Sequence, residues 1–386
     1  MSEGWDPVAF KARVDQVLHR FVAVEADALA AVDAALAPVA EQLESAVASG
    51  KRLRAAFCYW GWRGGGQPDS DALVRAAASM ELVHAAAVVH DDLIDDSPLR
   101  HGRPTAHRAL RAALPHHPRP AGAARSLAML VGDLLMSLAG QLFVGSGLPA
   151  AYLGRARPLW AALARELIAG ECLEILHTGT VPDTAASLKV IRYKTAKYTV
   201  EQPLLIGGAL AGASPRLSEG YSAYGLPLGE AFQLRDDLLG LFGDPERTGK
   251  ADGDDLRGHR PTALLAETWR LADAEQRERL NVLLGAGGSG AGGSGPSGTG
   301  IDGTRADGAG DGSGHGSGDG SGGPGDADRA EEVRALMRSL KAPERVERMI
   351  AARVEEALRA LDELDAPPIA VATLTALAHS ASTRSS

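Results

Sequence analysis

Hydrophobic residues recur every three or four positions along most of this chain, which is the spacing of one face of an α-helix. Val14, Leu18 and Val22 show this spacing near the N-terminus, and the same pattern predicts one long helix from about Asp71 to Asp96. Ala and Leu dominate the sequence and runs of β-branched residues are few, which favours helices packed on helices. The pattern therefore predicts an all-α fold, in the form of a large single-domain helical bundle.

One segment departs from this pattern. Residues 285–326 consist largely of Gly, Ser and Asp and contain almost no apolar side chain. Such a segment cannot bury enough surface to offset its conformational entropy, so we expect it to be disordered. Helical spacing resumes after it, in the sequence EEVRALMRSL. We therefore predict a helical bundle over residues 1–284, a disordered Gly/Ser/Asp-rich insertion over 285–326, and C-terminal helices of the same domain over 327–386.

The long central helix is predicted to end in a cluster of acids, HDDLIDD. If the helix continues through them, Asp91 and Asp95 lie one turn apart on one face, and Asp92 and Asp96 lie on the neighbouring face. Like charges at this spacing repel, so a cation should compensate them, and Mg²⁺ held by carboxylates and substrate phosphates is the obvious candidate. Taken alone, such a cluster is usually a solvated helix end. Residues 97–104 contain two prolines and a glycine and are predicted to form a loop.

A second acidic cluster ends another long apolar helix, predicted over residues 217–242. Gln233, Asp236 and Asp237 lie on one face there, so two helices can present carboxylates across a cavity to a shared metal cluster. Basic residues accompany both clusters. Each of them singly is usually a solvated surface charge, but together with Mg²⁺ they would neutralise diphosphates. These basic residues are Lys51, Arg52, Arg54, Arg100, Arg103, Lys194, Lys197, Lys250 and Arg260.

The composition of the chain argues against some classes of binding partner and favours one cellular compartment. A net charge of −9 and a pI near 5.7 argue against a general nucleic-acid-binding protein. Cys58 and Cys172 have no metal-binding or redox spacing, which suits a reduced cytosol, so we predict a cytoplasmic protein. The N-terminus shows no basic segment followed by an apolar core, and we find no uncharged apolar stretch of about 18 residues. We therefore expect neither a signal peptide nor a transmembrane segment.

Five sequence motifs in order carry a family resemblance: GKRLR, MELVHAAAVVHDDLIDDSPLRHGRPTAH, KTAKYT, FQLRDDLLGLFGD and TGKADGDDL. Together they resemble the trans-isoprenyl diphosphate synthases (polyprenyl synthetases), and geranylgeranyl diphosphate synthases in particular. The resemblance covers about residues 15–270. It implies an all-α bundle around a deep central cavity and a homodimer. It also implies an enzyme that joins isopentenyl diphosphate to an allylic diphosphate head to tail, with Mg²⁺ in a cluster of three ions.

The resemblance assigns roles to individual residues. Asp91, Asp95 and Asp236 correspond to the Mg²⁺ ligands, and Asp92, Asp237 and Lys194 complete the expected catalytic set. The expected isopentenyl diphosphate clamp consists of Lys51, Arg54 and His84. The expected allylic diphosphate side consists of Arg100, Lys194, Thr195, Gln233 and Lys250, with His101 and Arg260 as further substrate-binding positions.

The chain departs from the family pattern at three positions. Gly240 replaces the third aspartate of the second motif, where Asp244 is a candidate to compensate, and His101 replaces the second arginine of an Arg-Arg-Gly sequence. Arg260 stands where the family has lysine. Because His101 is a weaker, pH-dependent cation, these departures leave two alternatives open: a terpene cyclase on the same scaffold, or a non-catalytic partner subunit of a prenyl synthase. Lys51, Arg54 and His84 argue against the cyclase, and the intact aspartates argue against the non-catalytic subunit.

The helix before the first acids predicts the product length. Met80, Val83 and Ala87 precede Asp91 on one face, and Ala86 and Ala87 are small where a bulky aromatic would floor the cavity. We therefore predict a long product, geranylgeranyl diphosphate or longer, with Met80 or a residue of a neighbouring helix as the floor of the cavity. The alternative is that the alanines only permit close helix packing.

Overall fold

The computed structural model describes residues 5–243, 260–284 and 324–382. In these ranges the protein is all-α apart from one ribbon of two two-residue strands, which confirms the predicted fold class. The first half contains α1 (Pro7–Ala30), α2 (Ala37–Val47), α3 (Leu53–Gly64), α4 (Asp71–Ile94), α5 (Ala106–Ala113), α6 (Pro120–Val144) and α7 (Ala150–His177). The second half contains α8 (Thr184–Val190), a π-helix (Ile191–Glu201), α9 (Gln202–Ala211), α10 (Pro215–Phe242), α11 (Ala263–Leu271), α12 (Ala274–Leu284), α13 (Pro324–Ser339), α14 (Ala342–Asp362) and α15 (Pro368–Ser382).

The first helix shows why these sequences form helices. Asp6 caps α1 by accepting hydrogen bonds from the backbone N–H groups of residues 8 and 9, and Pro7 occupies the first turn, where its missing N–H costs nothing. Val14, Leu18 and Val22 recur at every fourth position and are completely buried. The apolar stripe read from the sequence is therefore the face that packs into the core.

Helix α4 lies at the centre of the bundle and packs against α1, α3 and α6. Two helices, α4 and α6, are long and apolar enough to cross a membrane by length and composition. In α4, 72% of the apolar window is buried inside the protein, and α6 packs along it. The apolar character of α4 is that of a core helix, which buries apolar residues around most of its circumference, whereas 44% of the apolar window of α6 is buried.

The end of α4 differs from the prediction. The helix stops at Ile94 rather than Asp96, Asp95 forms its C-cap, and Asp96 adopts a left-handed conformation with φ 53°. The expected pairing of Asp92 and Asp96 on one helical face is therefore wrong. The predicted loop 97–104 contains an antiparallel ribbon of β1 (Leu99–Arg100) and β2 (Arg103–Pro104).

The π-helix is a rare type of secondary structure in proteins. It lies between α7 and α10, and two glycines let it approach both helices closely. A Cβ at Gly170 of α7 would lie 2.2 Å from the backbone N of Lys194, and one at Gly229 of α10 would lie 2.5 Å from the Cα of Ala196. Larger residues at these two positions would move the π-helix away from its neighbours.

The C-terminal helices pack against α10 and α11. Helix α14 lies along α10, and buried residues of α13 and α14 share an apolar cluster with Leu234 and Leu264. The buried carboxylates of Glu230 and Glu267 accept hydrogen bonds from Arg353 and Arg345 of α14, at 2.7 and 2.8 Å. Residues 285–323 of the predicted insertion lie outside the described residues, so the three-part division stays a prediction, and α13 begins at Pro324, slightly before the predicted boundary.

Candidate active site

The acidic end of α4 is held by an arginine from the ribbon that follows it. Arg100 Nε donates to Asp92 Oδ1 at 2.9 Å, and Arg100 Nη2 donates to Asp91 Oδ2 at 3.1 Å. Asp92 is buried and Asp91 is largely buried. The positive charge of Arg100 therefore reduces the repulsion between two neighbouring carboxylates.

Lys194 of the π-helix lies at the centre of the site. Its Nζ donates to Asp91 Oδ1 at 2.8 Å, lies 2.9 Å from Glu171 Oε2, and also contacts Glu174. Oxygens of Asp91, Glu171 and Glu174 all lie within 4.8 Å of one another. Carboxylate oxygens are the ligands that Mg²⁺ prefers, so the side chains gathered here fit a divalent cation.

The charges of this cluster shift one another's ionisation. Burial opposes the charge of Asp91, but Lys194, Arg260 and Arg100 outweigh burial and lower the pKa of its carboxyl. Burial also opposes the charge of Lys194, but the surrounding carboxylates raise the pKa of its amine. Burial raises the pKa of Glu174 to about 6, against the opposing effect of Lys194. Asp91 and Lys194 therefore form an ion pair, and Glu174 is protonated more readily than an ordinary glutamate.

The π-helix connects the two acidic segments. Thr195 Oγ1, next to Lys194, donates to Gln233 Oε1 at 2.8 Å, and Gln233 Nε2 donates to Asp237 Oδ1 at 2.8 Å. Asp237 is buried and Asp236 is partly buried. The chain of contacts thus runs from the first acids through the π-helix to the second acids, and the two predicted clusters converge on one region.

A second cationic group lies beside this region. Arg54 Nη2 donates to the hydroxyl of Tyr198 at 2.6 Å and to Thr199 Oγ1 at 2.9 Å, and the Arg54 guanidinium lies 4.3 Å from the centre of the Tyr198 ring. His84 Nδ1 lies 3.2 Å from the same hydroxyl. Burial and the nearby arginines lower the pKa of His84 well below its usual value, so its imidazole is neutral at pH 7. Lys51 is exposed just before α3.

The remaining residues predicted for the site lie in different parts of the structure. Arg260 contacts Asp95, across 165 positions of the sequence. His101 is exposed in the turn of the ribbon, with φ 50°. Gly240 lies on α10 one turn beyond Asp236. Lys250 and Asp244 lie outside the described residues.

The residues predicted to set the depth of the pocket differ in burial. Met80, Val83 and Ala86 are almost completely buried, whereas Ala87 is partly exposed. Ala87 lies one turn before Asp91, and His84 lies about one turn before Ala87. Since both Asp91 and His84 contact the π-helix, Ala87 lies on the face of α4 that is directed to the site.

The sequence analysis did not identify Glu171, Glu174 or Tyr198. The two glutamates are three residues apart in α7, where the sequence predicts a helix over residues 151–178 and no functional residue. Their spacing places them on one face, and charged residues that interrupt the buried face of a helix are a signal of function. Tyr198 belongs to the KTAKYT motif, but only the tertiary contacts with Arg54 and His84 identify it.

Comparison with known proteins assigns the family. The polyprenyl synthetase family model matches residues 37–291, which is more than half of the chain. The chain belongs to the polyprenyl synthetase family. This confirms the resemblance that the motifs indicated, and the acidic segments, Lys194 and the Arg54 group all lie within the matched residues.

Individual members of the family differ in product length. A (2E,6E)-farnesyl diphosphate synthase from Mycobacterium tuberculosis is 35% identical over 225 residues, 58% of this chain and 57% of that protein, so this chain matches little more than half of that relative's length. An octaprenyl diphosphate synthase from Escherichia coli is 30% identical over 62% of this chain and 68% of its own. The structure of a geranylgeranyl pyrophosphate synthase from Corynebacterium glutamicum, complexed with isoprenyl diphosphate and magnesium, is 31% identical. It superimposes with a TM-score of 0.84 over 98% of this chain and 100% of that chain.

Proposed function

We propose that this protein is a Mg²⁺-dependent trans-prenyltransferase that joins isopentenyl diphosphate to an allylic diphosphate head to tail. The observation that carries the proposal is the position of Lys194, which contacts Asp91 while its neighbour Thr195 connects through Gln233 to Asp237. Carboxylates and cations thus alternate across one site. This arrangement suits a diphosphate bridged to protein by metal, because metal ions bind the carboxylates and lysine and arginine bind phosphate oxygens.

Asp91, Asp95 and Asp236 are the proposed ligands of the metal, which we propose is a cluster of three Mg²⁺ ions. The additional carboxylates of Glu171 and Glu174 support this assignment. With Asp91, Asp92 and Asp95 they make five carboxylates, which contact only three cations in these ion pairs: Lys194, Arg100 and Arg260. When bound, Mg²⁺ supplies positive charge to the departing diphosphate, where negative charge develops in the transition state.

The side chains of the protein supply the rest of the proposed mechanism. Lys194, Arg100 and Arg260 contact carboxylates of α4, and they are placed to donate to the oxygens of an allylic diphosphate that binds beside these acids. The allylic carbon–oxygen bond breaks, and the alkene of isopentenyl diphosphate forms a new carbon–carbon bond to the allylic carbon. The proton that the second substrate then loses passes to the released diphosphate. The reaction therefore needs no nucleophilic side chain.

Arg54, His84 and Lys51 are the proposed clamp for isopentenyl diphosphate. Arg54 and His84 both contact Tyr198, so two members of the clamp are held at one point beside the acidic site. Retention of this group favours a synthase over a terpene cyclase, which has no second diphosphate to bind. His101, exposed in the ribbon turn, is the weakest proposed substrate contact.

We propose a long product, geranylgeranyl diphosphate or longer. Ala87 is small and partly exposed on the face of α4 before Asp91, and Met80 lies about 16 Å before Asp91 on that face, at 1.5 Å per residue. Because Met80 is buried, it is the proposed floor of the cavity.

We also propose a cytoplasmic homodimer. Helix α7 exposes Ile168, Ile175 and Leu176, which are 55%, 49% and 71% exposed, and α6 exposes Met129 and Leu130. Adjacent exposed apolar residues of this size usually mark a protein contact, and a second copy is the proposed partner. Sedimentation of the wild type and of Leu176→Asp tests this proposal: the variant should sediment as a monomer, and an unchanged dimer would place the interface elsewhere.

One assay tests the proposed reaction. The full chain is incubated with Mg²⁺, labelled isopentenyl diphosphate and an allylic diphosphate of five, ten or fifteen carbons, and the products are extracted and sized. Chain elongation supports the proposal. A cyclic hydrocarbon would indicate the cyclase, and no product with any primer would indicate the non-catalytic subunit.

A further inference from the structure

The two last aspartates of the acidic stretch, Asp95 and Asp96, are directed to different parts of the protein. Asp95 contacts Arg260, beside the other carboxylates of the site. Asp96 turns away through its left-handed backbone conformation, φ 53°, and its carboxylate lies against α5 and α6. Asp adopts this conformation at lower cost than most residues other than Gly. Neighbours in sequence therefore have different environments.

The carboxylate of Asp96 joins three elements. Arg108 Nη2 of α5 donates to Asp96 Oδ2 at 3.0 Å, and Arg125 Nη1 of α6 donates to Asp96 Oδ1 at 3.1 Å. His107 Nε2 lies 3.3 Å from the same Oδ1, and His107 is buried. The arginines also donate to carbonyl groups, Arg108 to that of Asp96 and Arg125 to that of Leu93. The end of α4 is thus fixed to α5 and α6 through the Asp96 carboxylate and through two backbone carbonyls.

The ribbon that carries Arg100 lies between these contacts and the acidic site. Its base is closed by Thr105, whose N–H donates to the carbonyl of Pro98 at 3.2 Å and whose Oγ1 donates to the carbonyl of Ser97 at 2.7 Å. At its other side, Arg100 donates to Asp91 and Asp92. The position of the Arg100 guanidinium therefore depends on how residues 96 and 105 fix the two ends of the ribbon.

We propose that Asp96 is a positioning residue for Arg100: its contacts with Arg108, Arg125 and His107 hold the ribbon so that the Arg100 guanidinium stays beside the diphosphate site. The inference rests on the proposed function, because it concerns how well the site binds a diphosphate. It assigns the last aspartate of the DDLIDD stretch to the scaffold rather than to the metal. Nothing in the motif itself distinguishes the two roles.

A double-mutant cycle tests the inference. Asp96→Asn keeps the shape of the side chain and tolerates the left-handed conformation, but it removes the charge and replaces one of the two acceptor oxygens with an amide NH2 donor. Binding of inorganic pyrophosphate in the presence of Mg²⁺ is measured by calorimetry for the wild type, Asp96→Asn, Arg100→Gln and the double variant. We expect Asp96→Asn to weaken binding about tenfold, and to add nothing in the Arg100→Gln background, because residues that act through one another are not additive.

Two further variants sharpen the result. Arg125→Met removes a partner of Asp96 on α6 and should weaken pyrophosphate binding in the same way, again without further effect when Arg100 is absent. Asp133→Asn changes an exposed aspartate of α6 that lies 3.4 Å from His90, and its binding should match the wild type.

The outcomes separate this inference from the proposed function. Additive losses, or a lower melting temperature of Asp96→Asn with unchanged pyrophosphate binding, would overturn the positioning role. So would loss of Mg²⁺ binding measured without pyrophosphate, since that result makes Asp96 a metal ligand. A wild-type protein that binds no pyrophosphate with Mg²⁺ would overturn the proposed function as well.

Discussion

The close approach of α7 to the π-helix makes Gly170 a sensitive probe of the site. A Cβ at Gly170 would lie 2.2 Å from the backbone N of Lys194 and 2.6 Å from its Cα, whereas ordinary van der Waals contact begins at 3.4 Å. These neighbours are backbone atoms, which cannot rotate away. Gly170→Ala therefore requires the two helices to separate by 3.4 − 2.2 = 1.2 Å.

This displacement moves the residue at the centre of the site. Lys194 Nζ lies 2.8 Å from Asp91 and 2.9 Å from Glu171, so a shift of its backbone lengthens or reorients both contacts. A misplacement of about 1 Å costs on the order of 10²-fold in rate. We expect Gly170→Ala to lower kcat by about that factor, and overpacking to lower the free energy of unfolding by about 1–3 kcal/mol.

Gly154→Ala is the matched control. It lies on the same helix, and a Cβ there meets nothing within 4 Å. We expect wild-type activity and a gain in stability of up to about 1 kcal/mol from helix propensity. Steady-state prenyl transfer and thermal unfolding of both variants are the measurements. If Gly170→Ala matches Gly154→Ala in kcat, the position of the π-helix does not control Lys194 and the reasoning is refuted.

Three further predictions follow from single side chains. Ala87→Phe should shorten the product. Ala86→Phe should instead overpack the core and lower the free energy of unfolding by about 1–3 kcal/mol, with product length unchanged. Product sizing and unfolding curves of both variants are the measurements, and a shorter product from Ala86→Phe but not from Ala87→Phe would show that Ala86 faces the cavity. Lys194→Met leaves buried carboxylates without their cation, so the free energy of unfolding should fall by about 3–5 kcal/mol. Addition of Mg²⁺ should then raise the melting temperature of the variant more than that of the wild type. Because the pKa of buried His84 is lowered in the folded protein, its imidazole takes up a proton near pH 6.5 only in the unfolded chain. The free energy of unfolding therefore falls as the pH drops below that value, by at most about 1.4 kcal/mol per pH unit. His84→Gln should flatten this fall in urea unfolding between pH 7.5 and 5.5, and an equally steep fall would contradict the assignment.

The helical bundle was predictable because each helix is encoded by residues only a few positions apart in the sequence. The buried positions of α1 recur at the helical period, α4 is apolar around most of its circumference, and the predicted helix over residues 217–242 matches α10 within two residues. The order of the five motifs identified the family for a similar reason, since the types and spacing of residues in a motif are visible without any fold. Asp91, Asp236 and Lys194 were therefore candidate site residues before their contacts were known.

Other features depended on packing between distant parts of the chain. The sequence by itself determined the helices, the two acidic segments and the family, because each is encoded in residues a few positions apart. Only the tertiary structure placed Asp95 toward Arg260 and Asp96 toward α5 and α6, and added Glu171 and Glu174 to the Lys194 cluster. The physical reason is that periodicity shows which residues share a helical face, whereas the neighbour that the face meets is set by contacts between residues up to 165 positions apart.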